Sequence, residues 1–357
     1  MMKKSLVALA VLAASTGAMA QSSVTLFGVA DLGVAYVNGS GAGHRTGIAS
    51  GSNAASRLGF RGTEDLGGGL SASFWLESGL SLDTGTGAAT GGGMSFNRRS
   101  TVSLSNQYGE LRLGRDFVPT WWNVALLDPF GARGVGTSQA ANNLGYNAVY
   151  NNNSIGYVLP TTLGGVYGQF QYAFGEKAST SANDKQGNSI SGRLGYQKGA
   201  LNVAAAYTEI KQIIGASDTV PVVIGRDLKI GNIAATWDFG VVKPIVFYGQ
   251  EKVAGGTVGA SRVDSYLVGA TAPIGVGELR ATVARYDVKD SANDFNKFAI
   301  GYGYLLSKRT QLYVTASRLT NKGAGTRSLS ADGIASLAPI RAGGNSSAVE
   351  AGVRHSF

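Results

Sequence analysis

Cysteine is absent from the 357-residue chain, and histidine occurs only twice, as His44 and His355. A chain without cysteine has no disulfide framework, no thiolate metal site and no cysteine nucleophile. After the first twenty residues, no apolar run approaches the roughly 18–20 residues of a membrane-spanning helix. Charged residues are 15% of the chain, against about 25% in an ordinary soluble protein. Two classes remain: a secreted soluble protein, and a membrane β-barrel whose strands need only half of their side chains apolar.

Residues 1–20 are typical of a secretory signal peptide. Lys3 and Lys4 form a basic start, residues 6–14 an apolar stretch, and Ala18-Met19-Ala20 an A-x-A cleavage site. The apolar stretch is too short for the alternative, an N-terminal membrane anchor. Loss of the two lysines lowers the formal charge from +9 to +7. We therefore expect an exported protein.

Alternation of apolar and polar side chains recurs from Val24 to the last residue. For example, Leu58 and Phe60 fall on one face of a strand, and Arg57 and Arg61 fall on the other. At about 3.3 Å per residue and a tilt near 40°, a segment of about ten residues rises about 25 Å, the height of an outer-membrane apolar band. Sixteen segments show the pattern: 24–37, 55–64, 70–80, 95–106, 109–115, 154–160, 166–175, 189–198, 200–210, 228–239, 242–253, 261–274, 277–288, 295–306, 310–321 and 346–357.

The connections between these segments alternate in length. Short turns lie at 64–69, 106–108, 161–165, 197–199, 240–241, 275–276 and 307–309. Longer polar loops lie between them at 38–54, 81–94, 116–150, 176–188, 211–227 and 322–345, with shorter members at 254–260 and 289–294. A soluble sandwich has no reason to separate its loops by length, whereas an up-and-down barrel across a membrane does. The sequence predicts an all-β fold, a transmembrane antiparallel barrel of 16 strands forming one domain over residues 21–357.

Four motifs stand out: SVTLFGVAD at 23–31, SRLGFRGTEDLG at 56–67, LRLGRD at 111–116 and GVRHSF at 352–357. They resemble the general porins of Gram-negative bacteria, specifically of the β-proteobacteria. The resemblance covers the mature chain. It implies a passive, water-filled diffusion channel in the bacterial outer membrane for ions and small hydrophilic solutes. It also implies a homotrimer, which the sequence patterns themselves do not show.

In the porins that this chain resembles, the third long loop folds into the barrel and narrows the pore. The resemblance therefore assigns residues 116–150 as the constriction loop. The motif Pro119-Thr120-Trp121-Trp122 gives this loop a rigid aromatic start, and Asp128-Pro129-Phe130-Gly131 gives a turn. The alternative is a surface lid that never enters the lumen.

Strand alternation and the resemblance together select the charges that line the pore. The acidic candidates are Glu77, Asp116 and Asp128, and the basic candidates are Arg57, Arg61, Arg98, Arg99, Arg112, Arg115 and Arg133. Of the adjacent pair, alternation with Val102 favours Arg99 as the inward side chain, resemblance favours Arg98, and a bulge would reconcile the two. Arginine keeps its charge and offers a fork to anionic oxygens, so a ring of arginines favours small anions yet releases them. For each arginine the alternative is a salt bridge or a loop tether.

One position departs from the porin pattern. Members of the family often carry a basic residue shortly before the Asn-Ser start of the sixth strand, and this chain has Tyr150 there. Two consequences are open. Either the anion filter is weaker, or Arg133 takes the place of the missing charge.

The terminal Phe357 follows apolar residues at every second position. This ending resembles the signal read by the outer-membrane insertion machinery. The last strand must also pair with the first, because an unpaired strand edge in lipid is costly. The alternative is an ordinary terminal strand.

Other chemistry is sparse in the sequence. No G-x-S-x-G elbow accompanies either histidine, and no helical pattern follows Gly39-x-Gly41-x-Gly43, which argues against a dinucleotide site. We expect no enzyme, no cofactor, no metal site and no nucleic-acid partner. The expected partners are further copies of the chain, outer-membrane lipid and lipopolysaccharide, the insertion machinery, and small anionic or polar solutes. Alternative hypotheses are an adhesion barrel that uses loops such as 322–345, and an outer-membrane enzyme. The sequence does not decide whether loop carboxylates bind calcium.

Overall fold

The computed structural model describes residues 23–89, 91–138, 143–144, 146, 148–213, 226–254, 262–332, 334 and 337–357. The expected signal peptide and most of the loop 211–227 lie outside these residues. The described part holds one helix, α1 (Pro119–Leu127), and the strands β1 (Ser23–Gly39), β2 (Gly43–Ser50), β3 (Arg57–Gly67), β4 (Leu70–Ser81), β5 (Thr86–Gly87), β6 (Arg99–Asn106), β7 (Gly109–Phe117), β8 (Tyr150–Val158), β9 (Val166–Ala173), β10 (Ser189–Lys198), β11 (Leu201–Ile213), β12 (Arg226–Trp237), β13 (Lys243–Ala254), β14 (Arg262–Ile274), β15 (Gly277–Val288), β16 (Phe295–Leu305), β17 (Thr310–Asn321) and β18 (Asn345–Ser356).

The strands form one antiparallel sheet that closes on itself. β1 pairs with β18 along its second half and with β3 along its first half. β2 and β3 occupy one position in the wall beside β1, and β5 is a two-residue ribbon on β4, so the barrel has 16 strands. Closure leaves every barrel strand paired on both sides, as lipid requires. The predicted fold class is confirmed, and each of the sixteen predicted segments contains a strand.

Alternate side chains face opposite surfaces of this wall. On β14, Val268 is 63% exposed while the adjacent Leu267 is 4% exposed. On β6, Val102 is 60% exposed, whereas Thr101 and Ser103 on either side are buried. The period of two therefore places an apolar surface outside and the polar side chains inside. No helix in the described part of the chain is long and apolar enough to cross a membrane.

The constriction loop contains α1, which the sequence pattern did not predict. Pro119 stands at the first helical position, where its missing N–H costs no hydrogen bond. The helix lies against the inner face of β11 and β12. Thr120 Oγ1 shares a hydrogen bond with Thr208 Oγ1 (2.9 Å), and Asn123 Nδ2 donates to Asn232 Oδ1 (2.8 Å). The loop therefore enters the lumen as predicted, and the alternative of a surface lid is excluded.

The loop predicted at 38–54 is largely a β-hairpin extension. Gly41 and Gly43 adopt φ values of +77° and +72°, which allow a tight turn, and the chain then returns as β2 along β1. The glycine-rich composition hid this strand. The described part of the final long loop also folds inward, since Leu329 and Leu337 join the buried cluster that holds Ala35 of β1.

Candidate pore constriction

The first pore-lining cluster is built around Glu77 on β4. Its side chain faces the lumen and is 7% exposed. Oε1 lies 2.5 Å from Arg98 Nε and 3.6 Å from Arg57 Nε. The indole nitrogen of Trp75 donates to Oε2 (3.1 Å). A buried carboxylate needs such partners, and two arginines are thereby fixed on the wall.

A second cluster surrounds Asp116 at the end of β7. Its carboxylate is buried and lies 2.7 Å from Arg112 Nη1 and 3.6 Å from Arg99 Nε. Arg112 also donates from Nε and Nη2 to the two oxygens of Glu110, both at 2.9 Å. Glu110 was not among the predicted residues. Alternation places it on the same face as Arg112, and that signal was available in the sequence.

Both members of the adjacent arginine pair point inward. β6 begins at Arg99, so Arg98 precedes the strand and escapes its alternation. The Arg98 side chain reaches Glu77, while Arg99 reaches Asp116. The question left open by the sequence is thus answered without a bulge.

Trp75 lies between two of the predicted arginines. The guanidinium carbon of Arg99 is 4.7 Å from the centroid of its ring, and that of Arg61 is 5.2 Å from it. Arg61 also lies over Phe27, at 5.3 Å. Among the described residues, Arg61 makes no ion pair. We call Arg57, Arg61, Arg98, Arg99 and Arg112 the arginine ladder.

Arg115 is not joined to the acids of the ladder. It falls at a register irregularity of β7, between Gly114 and Asp116. Its Nε donates to the carbonyl of Asn97 (2.5 Å), Nη1 bonds the Asn152 side chain, and its guanidinium lies 4.7 Å from the centroid of the Tyr150 ring. Arg115 is therefore the cation beside Tyr150, where the porin pattern led us to look for a basic residue.

Asp128 and Arg133, the two remaining predicted charges, stabilise the conformation of the constriction loop. Asp128 accepts the backbone N–H groups of Phe130 (3.0 Å), Ala132 (3.1 Å) and Ser138 (2.8 Å). Burial raises the pKa of Asp128, and these N–H groups oppose that shift because they favour its charged form. Asp128 thus forms the turn of the loop rather than a free lumen charge.

Arg133 connects the constriction loop to the final long loop. Its Nη1 lies 3.5 Å from Asp332 Oδ2. Burial raises the pKa of the Asp332 carboxyl, and Arg133 opposes the shift. Arg133 is therefore paired between two loops and does not substitute for a charge at position 150.

Two carboxylates of the wall hold the backbone of the constriction loop. Glu251 on β13 accepts the backbone N–H and the side-chain amide of Asn143, both at 3.0 Å, and the N–H of Leu144 at 3.1 Å. Glu350 on β18 accepts the N–H of Val135 at 3.1 Å. Glu251 and Glu350 hold the loop in place across the lumen. No sequence pattern indicated them, because their partners are backbone groups far away in sequence.

Two further lumen cations were also missed. Arg193 on β10 donates from Nε to Asn123 Oδ1 of α1 (2.9 Å) and lies over the Tyr167 ring. Lys297 on β16 donates to the carbonyl of Thr137. Their alternation with apolar neighbours placed both on the lumen face, but the family motifs drew the prediction to the first strands.

Phe357 lies at the barrel seam. Its N–H donates to the carbonyl of Gly28 (3.1 Å), and the N–H of Gly28 donates back (3.0 Å). A Cβ atom on Gly28 would lie 2.3 Å from Cζ of the Phe357 ring. Glycine is therefore required for this close approach, and the terminal residue completes the pairing of the last strand with the first.

The described residues contain no group of three or more acidic or histidine side chains placed to hold a metal ion. His44 stacks on Tyr36, and His355 shares a hydrogen bond with Thr310 (2.9 Å). Neither histidine belongs to the arginine ladder.

Known porins share both the sequence and the barrel geometry of this chain. The Gram-negative porin family matches residues 7–324. Outer membrane porin protein 32 of Delftia acidovorans is 42% identical, with all of both chains covered, and an outer membrane porin protein of Bordetella pertussis is 33% identical over 90% of this chain and 95% of that protein. Among solved structures, the anion-selective porin from Comamonas acidovorans superposes with a TM-score of 0.82 at 38% identity, over 94% of this chain and 100% of that one. The trimer form of Vibrio cholerae OmpT gives 0.66 at 14% identity, over 94% and 99%, a likeness of fold alone.

Proposed function

The chain belongs to the Gram-negative porin family and is a protein of the bacterial outer membrane, and from that premise we propose that its lumen selects small anions. The arginine ladder carries this proposal. Its five arginines face three carboxylates, Glu77, Glu110 and Asp116, an excess of two positive charges. The likeness to an anion-selective porin at 38% identity supports the same conclusion. The expectation that the chain is not an enzyme agrees with the family, since porins are passive channels.

The ladder acts through a fixed electrostatic field and involves no reaction. Arginine remains protonated at any pH relevant to the cell, so the field does not depend on titration of the basic groups. The carboxylates hold each guanidinium in a defined direction. A low-dielectric wall focuses the excess charge into the lumen and raises the local anion concentration. Conduction requires that such binding be weak enough for the anion to leave.

The constriction loop supplies the size limit. Wall side chains hold it at several points, including Asn232, Glu251 and Glu350, so solutes pass beside a rigid obstacle. In this proposal residues 21–357 form a single barrel domain after removal of residues 1–20. The arginine ladder faces the passing solute. The other predicted charges hold the surrounding structure in place: Arg115 in the wall, and Arg133 and Asp128 in the constriction loop.

We further propose that the barrel assembles as a homotrimer through the outer surface near its seam. Val34, Ile48 and Val353 are large apolar side chains exposed on β1, β2 and β18, and a trimeric structure occurs among proteins of the same fold. The rest of the outer wall would face lipid and lipopolysaccharide. The ending at Phe357 would be the element that the insertion machinery recognises.

Reconstitution in a planar bilayer tests the selectivity. Under a KCl gradient we expect conductance in threefold steps and a reversal potential of the sign for anion preference. The double variant Arg57→Gln/Arg98→Gln should move that potential towards cations, because it removes two positive charges from the lumen. Arg309→Gln, which changes an exposed turn arginine, is the matched control and should leave the potential unchanged. A cation preference in the unmodified protein, or equal potentials in the double variant and the control, would contradict the proposal.

A further inference from the structure

A second set of basic side chains lies in the lumen on the short-turn side of the constriction loop. Lys243 is the first residue of β13, Arg280 the fourth of β15, and Arg354 the third from the end of β18. Alternation places each on the lumen face, since Ile245, Thr282 and Glu350 in the same registers are buried. All three line one cavity of about 320 Å³, whose roof is the turn of the constriction loop, residues 126–131.

The positive charge in this cavity is only partly neutralised. Arg280 donates to Glu278 Oε1 (2.8 Å) and to Asn53 Oδ1 (3.0 Å). Among the described residues, neither Lys243 nor Arg354 makes an ion pair, and the buried Nε of Arg354 has no hydrogen-bond partner. A buried donor without an acceptor is unfavourable unless a ligand or water supplies one.

Nearby acids are already occupied. Asp31 lies opposite Arg354 where β1 pairs with β18. Its carboxylate instead accepts the hydroxyl of Tyr313 (2.6 Å) and the N–H groups of Asn53 (2.8 Å) and Ala54 (2.6 Å). Asp128 in the roof is likewise bound to backbone N–H groups. The cavity therefore has three cations, and among the described residues only Arg280 has an ion-pair partner there, Glu278.

The cavity leaves room for a ligand beside these cations. The cavity holds about ten waters at roughly 30 Å³ each, so an ion can enter with part of its hydration shell.

We propose that Lys243, Arg280 and Arg354 form an exit site that binds a small multivalent oxyanion, for which inorganic phosphate is the probe. Guanidinium groups present paired donors that match two oxygens of one anion, and lysine adds a point charge. Asn202 also lines the cavity, and its Oδ1 accepts from Tyr167, so its N–H₂ group is turned to other acceptors. The site rests on the proposed channel, because the anion reaches it through the lumen, but it lies apart from the arginine ladder.

The experiment measures chloride conductance in planar bilayers while phosphate is added to both chambers at constant chloride. In the unmodified protein we expect phosphate to lower the conductance in a saturable manner. Arg280→Gln/Arg354→Gln should raise the half-blocking phosphate concentration about tenfold, because two charge-assisted contacts are lost. Arg280→Lys/Arg354→Lys, which keeps the charge but not the fork, should give an intermediate value. Circular dichroism checks that each variant keeps its β-sheet.

Two control variants separate this site from the arginine ladder. Arg309→Gln removes a charge from the same end of the barrel outside the cavity and should leave the half-blocking concentration unchanged. Arg57→Gln/Arg98→Gln should change the KCl reversal potential, whereas the exit-site variant should keep its sign. Three results would overturn the exit site: no saturable block, the same half-blocking concentration in Arg280→Gln/Arg354→Gln as in the unmodified protein, or a block that is lost only in Arg57→Gln/Arg98→Gln. A cation-selective reversal potential in the unmodified protein would instead overturn the proposed selectivity of the arginine ladder.

Discussion

Two sets of lumen-facing carboxylates have different partners. On β4 and β7, Glu77 and Asp116 bind arginine side chains, so they decide where positive charge lies. On β13 and β18, Glu251 and Glu350 bind backbone N–H groups of the constriction loop, so they decide where the chain lies. The carboxylate group and the inward orientation are shared. One set fixes the positions of charged side chains and the other fixes the backbone of the constriction loop, because their partners differ. Substitutions in the two sets should therefore have separable effects.

The largest effect is expected from Glu251→Ala. The donors of Asn143 and Leu144 would lose their acceptor in a buried place, which should lower the free energy of unfolding by about 2–4 kcal/mol. The released loop should also raise the single-channel conductance. Glu110→Ala is the control, because this partly exposed carboxylate binds only side chains, those of Arg112 and Ser103, and its loss should cost less than about 1 kcal/mol. Thermal unfolding and bilayer recordings measure both quantities, and equal conductances of the two variants would refute the mechanical role.

Glu77→Gln should have an intermediate effect, on selectivity rather than on conductance. It removes one negative charge from the ladder while Arg57 and Arg98 stay in the lumen. The KCl reversal potential should then move further in the direction of anion preference. Glu251→Gln is the isosteric change in the other set of carboxylates and should move the potential less. Were Glu251→Gln to change selectivity as strongly as Glu77→Gln, the two sets would not differ as described.

The smallest effect is expected from pH, through the pair of Arg133 and Asp332. Burial raises the pKa of Asp332. At a pH between the pKa of the unfolded chain, near 3.8, and the raised pKa of the folded protein, the native state therefore binds more protons at this carboxyl than the unfolded chain does. This group therefore favours the native state at low pH, and that contribution is lost as pH rises through its folded pKa. Protonation leaves Arg133 without a counter-charge, so the anion preference should increase slightly on acidification. Reversal potentials between pH 7 and pH 4 should change less in Asp332→Asn, and an identical pH response would count against the pair.

Much of the barrel could be predicted from the sequence because it depends on local alternation. Odd and even positions separated Val102 from Thr101, and the same rule assigned Arg57, Arg61 and Arg112 to the lumen. The rule failed where local composition concealed structure. Glycines at 41 and 43 suggested a loop instead of the turn before β2, and Trp121 and Trp122 did not indicate a helix.

The support of the site could not be predicted in the same way. The partners of Glu251 and Asp128 are backbone groups, which every residue carries and which no sequence pattern marks. Arg98 was ambiguous because its orientation depends on where β6 begins. Arg193 and Lys297 were within reach of the alternation rule, but which of them would touch the loop depends on how α1 packs across the lumen.

The attachment of α1 determines how the channel should respond to ionic strength. Thr120, Asn123, Thr208 and Asn232 hold the helix through hydroxyl and amide groups, and dissolved salt does not weaken such neutral contacts as it screens exposed charge. The width of the constriction should therefore be the same at low and at high ionic strength. The preference for anions should weaken as ionic strength rises, because salt screens the charges of the arginine ladder.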